Sequence, residues 1–257
     1  MADMVNIALV AVDGDLDVSM VPRVRARIDR LIERGCRRIF MNMEDVTHVD
    51  SAGMGLILTE LRRMRREGGL ISLVNVSAQV YAALRRMRML DYMPVSRPGD
   101  RRPVAELDPS VLPRWRTTFR VEAGALSEAR ERVVDLISSL PFSADEVFDM
   151  NLAAGEALGN AVDHTCGGGV LVTVAAYPDR VVIDVADCGR GFSLTEGEEL
   201  PEADPGAERG RGIRLMRLLA DSVTIEHKST GEGTVVRLVK LLDSVPLASP
   251  PETSVPA

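Results

Sequence analysis

The sequence predicts two domains: a small α/β domain, then an α+β two-layer sandwich. Three observations carry this. Strand-like and helix-like segments alternate over residues 6–89. A proline-rich stretch from Ser96 to Pro113 follows, with Pro98, Gly99, Pro103, Pro109 and Pro113 set among charged residues. Beyond it the strand-like segments come in hairpin pairs with the helices kept apart. A chain of 257 residues has room for one large domain or two ordinary ones. The boundaries expected are 1–97, a linker at 98–113, 114–243 and a Pro- and Ser-rich disordered tail at 244–257.

In the first half, Asn6–Val12 is an apolar strand-like run ending in the turn residues Asp13-Gly14-Asp15. Val21–Glu33 places Val21, Val24, Ile28, Leu31 and Ile32 at helical spacing, and Gly35 supplies the stop. Arg38–Met43 reads as a strand, Ser51–Arg66 as a helix, Leu70–Val74 as a strand and Ala78–Met89 as a helix. Alternation of this length implies a partly parallel sheet. If flexible, the linker of some 15 residues has an end-to-end distance of roughly 20 Å, and it holds the halves near millimolar effective concentration where geometry permits contact.

In the second half, Arg116–Val121 alternates like a strand and Ala125–Leu140 is helical. After the break at Pro141-Phe142-Ser143, Ser143 and Glu146 have capping-box spacing, and a helix runs on through Asn151 to His164. Val170–Tyr177 and Arg180–Ala186 make a hairpin around Pro178-Asp179. Ile213–Ala220 is a helix, and Ser222–Glu226 and Thr234–Val239 form a final pair around Gly231-Glu232-Gly233.

Composition narrows the function classes. The chain is 46% hydrophobic and 27% charged without an apolar run long enough to span a bilayer, so a soluble protein is expected. The first residues lack a basic segment and Asp13 interrupts the apolar start, so no secretory signal is expected. Cys36, Cys166 and Cys188 lack metal-type spacing and fit a reducing cytoplasm. Residues 1–97 hold 15 arginines and 12 acidic residues, a net of +3, while the remainder holds 16 basic and 26 acidic residues, a net of −10. A chain of net charge −7 is a poor nucleic-acid binder, since phosphate neutralisation dominates that affinity. The asymmetry leaves room for attraction between the halves. Lysines occur only at 228 and 240, and no G-x-x-x-x-G-K-[ST] loop exists, so phosphate would fall to arginines outside an ordinary P-loop.

The chemistry-bearing residues gather in two places. Glu156 and Asn160 lie one turn apart on a helix, each preceded by a glycine, Gly155 or Gly159. A carboxylate beside an amide suits a hydroxyl nucleophile and a hard cation such as Mg²⁺. A mid-helix glycine costs about 1 kcal/mol against alanine, so two of them imply a close approach to the backbone, or else simple helix packing with the polar pair facing water. Three glycine turns follow: Asp187-Cys188-Gly189-Arg190-Gly191-Phe192, Arg209-Gly210-Arg211-Gly212-Ile213 and Gly231-Glu232-Gly233-Thr234. The second opens a helix whose N–H groups could receive phosphate between two guanidiniums. In the first half, Ser51 falls at or beside a helix N-cap, with Gly53 and Gly55 after it. It is either a plain cap or a site where phosphate would add about −1.5 to −2 charge facing helix N–H donors. His164 reads as a helix-end histidine favoured by the dipole, and Asp163 as either a pocket or a surface residue. Met87, Met89, Met93 and the arginines of 62–66 read as core filling and a solvated face.

The stretch Asp50-Ser51-Ala52-Gly53, with its preceding strand and the following helix Met54–Leu61, resembles STAS domains of the bacterial anti-sigma-factor antagonist type over residues 4–95. That resemblance implies that a partner kinase phosphorylates Ser51 and so weakens the antagonist's hold on its partner. The ordered set Glu156/Asn160, Asp187-x-Gly-x-Gly, Gly210-x-Gly and Gly233-Thr234 resembles the N, G1, G2 and G3 boxes of the GHKL ATP-binding fold over residues 114–242. Within that fold, Gly210-Arg211-Gly212-Ile213-Arg214-Leu215-Met216 looks most like the anti-sigma-factor serine kinase branch. The resemblance implies ATP and Mg²⁺, with Asn160 on the Mg²⁺ and Asp187 accepting from the adenine amino group. It makes Glu156 the general base toward a serine hydroxyl, places Gly189, Gly191, Gly210 and Gly212 around the nucleotide, and puts Thr234 near its base. Arg209 and Arg211 are phosphate candidates on charge and position alone.

The expectation is an ATP-dependent serine kinase fused to an antagonist module. It would act by partner switching on a sigma factor or other regulator and on STAS-type antagonists, without membrane or direct nucleic-acid contact. Contact between the two halves and homodimerisation are both left open. The alternative is a non-catalytic, nucleotide-sensing switch in which the STAS-like half governs partner capture.

Overall fold

The computed structural model describes residues 7–100, 102–122, 124–165, 169–189, 191, 193, 211–228 and 232–242. The chain forms two compact units, Met1–Arg101 and Arg102–Ala257.

The first unit is built on three described strands, β1 (Ile7–Ala11), β2 (Arg38–Asn42) and β3 (Leu70–Val74), in the order β1-β2-β3. All pairings are parallel, as crossover helices require. The helices are α1 (Val21–Glu33), α2 (Ser51–Arg66) and α3 (Ala78–Arg86). Pro22 sits in the first turn of α1, where its missing N–H costs nothing, and Gly35 at φ +83° turns the chain out afterwards. Ile28 of α1 and Leu56, Ile57 and Met64 of α2 close over Ile39, Met41, Ile71 and Leu73 of the sheet, all nearly or fully buried. Each such side chain contributes about 1.5–3 kcal/mol by leaving water. The third helix stops three residues short of its predicted end, because Arg88 adopts a left-handed φ of +56° and one 3₁₀ turn, Met89–Asp91, follows.

The second unit is a five-stranded antiparallel sheet in the order β4-β5-β6-β8-β7. Its strands are β4 (Trp115–Val121), β5 (Val170–Ala176), β6 (Arg180–Ala186), β7 (Ser222–His227) and β8 (Thr234–Leu241). The helices are α4 (Leu126–Ser138), α5 (Ala144–His164) and α6 (Arg211–Leu219), and α5 packs between the other two. The capping box is formed: Ser143 Oγ accepts from Glu146 N–H at 3.2 Å and Ser143 N–H donates to Glu146 Oε2 at 2.9 Å. It starts α5 seven residues before Asn151, so Glu156 and Asn160 lie deep in a 21-residue helix. Val172, Val174, Ile183, Val185 and Leu238, in register on one face, are almost wholly buried beneath the helices.

The proline-rich joint is tied at both ends. Val95 bridges to Leu73, and Ser96 N–H donates to Leu73 C=O. Arg97 pairs with Asp100 through two side-chain bonds of 3.0 Å and lies over the Tyr81 ring. Within the second unit, Arg180 donates to the Ala105 carbonyl at 2.7 Å.

Candidate functional site

Sheet and helices converge at the C-terminal end of β6. Asp187 follows that strand and is 6% exposed, and its Oδ1 accepts from Gly189 N–H at 2.8 Å and Thr234 N–H at 3.2 Å. Its own N–H donates to the Thr234 carbonyl, so the Asp187 turn is stitched to the start of β8. Among the described residues Oδ2 accepts no hydrogen bond.

The glycines here answer to packing. A Cβ at Gly189 would overlap the His164 carbonyl at the end of α5, and one at Gly233 would overlap the Asp187 carbonyl. A Cβ at Gly191 would overlap the His227 imidazole of β7, 2.7 Å from its Cε1. Gly191 (φ +72°) and Gly233 (φ +125°) also need backbone angles that side chains disfavour. Gly191 thus owes its identity to β7 as much as to any ligand, and His227 is a contact that the sequence pattern did not flag.

On the helix side, the first turn of α6 meets α5 at the polar pair. A Cβ on Gly212 would lie 3.1 Å from Glu156 Oε2 and 3.4 Å from Asn160 Nδ2. Glu156 and Asn160 are both half-buried. The mid-helix glycines differ in kind: the Arg130 guanidinium of α4 lies over Gly155 and donates to its carbonyl at 3.3 Å, whereas open space lies beside Gly159. The structure therefore brings Glu156, Asn160 and Gly212 together, and separately Asp187, Gly189, Gly191 and Thr234. Arg209 and Gly210 lie outside the described residues, as does the Arg211 side chain, although Arg211 begins α6.

The Glu156 carboxylate beside the Asn160 amide is a donor set that fits a hard cation such as Mg²⁺. Among the described residues no three His, Cys, Asp or Glu side chains cluster as a metal site.

In the first unit Ser51 is exposed and is the first residue of α2, while Asp50 is its N-cap. Asp50 Oδ1 accepts from Gly53 N–H at 2.8 Å and Oδ2 from Val18 N–H at 3.1 Å, clipping the loop before α1 to the start of α2. Asp15 Oδ1 accepts from His48 N–H at 2.7 Å, Thr47 Oγ1 and Thr47 N–H. The His48 amide, then the Thr47 hydroxyl, hold the Asp15 carboxyl below the usual aspartate value. The Ser19 hydroxyl and the Met20 and Ser19 amides do the same for Asp17. The Ser51 hydroxyl thus emerges from a loop system held by the side chains of Asp15, Asp17 and Asp50.

Residues 119–240 match the histidine kinase-like ATPase domain family, and residues 4–98 match the STAS domain family. The serine-protein kinase RsbW of Bacillus licheniformis is 33% identical over 119 residues, which is 42% of this chain and 72% of that protein. The anti-sigma F factor of Clostridium acetobutylicum is 33% identical over 120 residues, 44% of this chain and 83% of that one. An anti-sigma F factor antagonist of Paenibacillus polymyxa is 27% identical over 91 residues, 35% of this chain and 78% of that one. No helix among the described residues is long and apolar enough to cross a membrane.

Proposed function

The chain belongs to the family of RsbW-type anti-sigma factors with a histidine kinase-like ATPase domain, here joined to a STAS domain, and from that premise we propose that it is an ATP-dependent protein serine kinase acting by partner switching. The observation that carries the proposal is the meeting of Glu156 and Asn160 with the first turn of α6 at Gly212. This sets a carboxylate, an amide oxygen and helix N–H groups around one small space.

In this reading ATP lies with its adenine amino group toward Asp187 Oδ2, which accepts from no donor among the described residues. Thr234, Gly189 and Gly191 wall the base, and Arg209 and Arg211 are the candidates for phosphate contact on charge and place in the sequence. Asn160 would hold the Mg²⁺, which would supply charge neutralisation on the phosphates. Glu156 takes the proton from a serine hydroxyl as the oxygen bonds to the γ-phosphorus and the bond to ADP breaks. The acceptor is a STAS serine, either Ser51 of this chain or its equivalent on a separate antagonist. The ATPase half captures a sigma factor or comparable regulator and releases it when an unphosphorylated antagonist competes.

The test is to incubate purified protein with Mg-ATP and measure added phosphate by intact mass, alone and with a separate STAS antagonist. We expect one phosphate on wild type, none on Ser51→Ala, and a rate roughly 10²–10⁴-fold lower for Glu156→Gln, the range typical of a lost general base. No transfer to either acceptor while ATP still binds overturns the kinase assignment in favour of a nucleotide-sensing, partner-binding switch.

A further inference from the structure

The joint between the units has more structure than its composition suggests. On β6, Arg180, Val182 and Asp184 alternate with Val181, Ile183 and Val185, which lie beneath the helices, so Arg180 projects from the opposite face of the sheet. Although charged, Arg180 is only 7% exposed. Its guanidinium is clamped by Asp179 through bonds of 2.7–3.1 Å, and its remaining reach goes to the Ala105 carbonyl at 2.7 Å. Val104 and Leu107, flanking that carbonyl, are half-buried in a stretch otherwise mostly exposed. Nine residues later the Arg114 N–H bonds to the Ala176 carbonyl at the end of β5. Residues 104–114 therefore cross the helix-free face from β6 toward the β4 edge. On that face Ala175, Val182 and Val239 are each less than 10% exposed.

We propose that residues 104–114 are a strap belonging to the ATPase unit, latched by Arg180, and that this latch sets how far the STAS unit can range. On the other side the Arg97–Asp100 knot belongs to the STAS unit. Only five residue steps then separate the anchors at Asp100 and Ala105, at most about 18 Å of chain. With the latch open, 14 residue steps separate Asp100 from the next anchor at Arg114, at most about 50 Å of chain. Resting on the kinase reading, phosphorylation of Ser51 within one chain responds to the latch, because it depends on the length of free tether, whereas transfer between copies does not.

Two measurements on the full chain test the strap without relying on catalysis. Backbone {1H}–15N NOEs of residues 104–108, which report order whether or not an N–H is hydrogen-bonded, are compared in wild type and Arg180→Gln, with thermal unfolding as a check that the sheet survives. Distance distributions between labels introduced at the exposed positions Thr59 and Asp163 are then compared in wild type, Arg180→Gln and a variant with six Gly/Ser residues inserted after Arg102. We expect residues 104–108 to be as ordered as the sheet in wild type, an order lost in Arg180→Gln. We also expect a distance distribution that broadens in both variants, the insertion doing so with the strap still ordered. Residues 104–108 as mobile as a free chain in wild type, or a wild-type distribution as broad as that of the insertion, overturns the proposal, and the insertion decides the matter if Arg180→Gln unfolds. Should the strap behave as expected while neither Ser51 nor a separate STAS antagonist acquires phosphate, the kinase reading fails and the strap stands.

Discussion

Gly53 and Gly55 stand two residues apart in α2 and look alike in the sequence, yet their surroundings are opposite. A Cβ at Gly53 would overlap the Leu16 carbonyl and press on Val49 at 2.9 Å, whereas nothing lies within 4 Å of one at Gly55. Gly53→Ala must therefore push the loop before α1 away from α2, at a cost of about 1–3 kcal/mol or more. Gly55→Ala should stabilise by about 0.5–1 kcal/mol, because alanine restricts the unfolded chain and suits a helix interior. Urea unfolding of the two variants checks this, and equal shifts would mean that the approach of Leu16 is not real. The same contrast explains what could be read in advance. Residue types and spacing marked Glu156, Asn160 and Ser51 as candidates beside plainer readings, and the family resemblance gave roles to them and to Asp187. The packing partners were not legible, since no local pattern tells that His227 would press on Gly191 or Arg130 on Gly155, contacts made across 36 and 25 residues of chain.

At the scale of elements, periodicity and punctuation located the helices and strands, and the differences have local causes. The helix carrying the polar pair begins at Ala144 because the capping box, not the glycine pattern, sets its start. The third helix of the first unit stops early at a left-handed Arg88. The cap of α2 is Asp50 rather than Ser51, which leaves the serine hydroxyl outward and uncommitted to capping. That arrangement depends on the Asp15 clip, and its pH dependence follows from the direction of the shift. The Asp15 carboxyl titrates below its ordinary value of 3.8 in the folded chain, so its contribution is fully present above that value and is lost as pH falls through the lower folded value. In an NMR titration the His48 and Thr47 amide resonances should hold steady from neutral pH to about 4.5 and move only below it. In Asp15→Asn they should show no such transition. A transition that persists unchanged in Asp15→Asn would contradict the Asp15 assignment.

At the scale of the whole molecule, the chain joins a STAS domain to a histidine kinase-like ATPase domain. The contrast in charge was visible from composition, with the first 97 residues at +3 and the rest at −10. The latch between Arg180 and Ala105 was not visible, because a proline-rich stretch reads as a tether whether or not its carbonyls are held. All of this depends on the helix pair and the glycine turns forming one site for a magnesium-bound nucleotide. Isothermal titration of the full chain with ATP, with and without Mg²⁺, addresses that most directly. The account predicts one site per chain. Its affinity should fall at least tenfold without Mg²⁺ or in Asn160→Ala, and fall in Asp187→Asn whether or not Mg²⁺ is present. Absence of ATP binding to the folded wild-type chain, or binding indifferent to both substitutions, would contradict it.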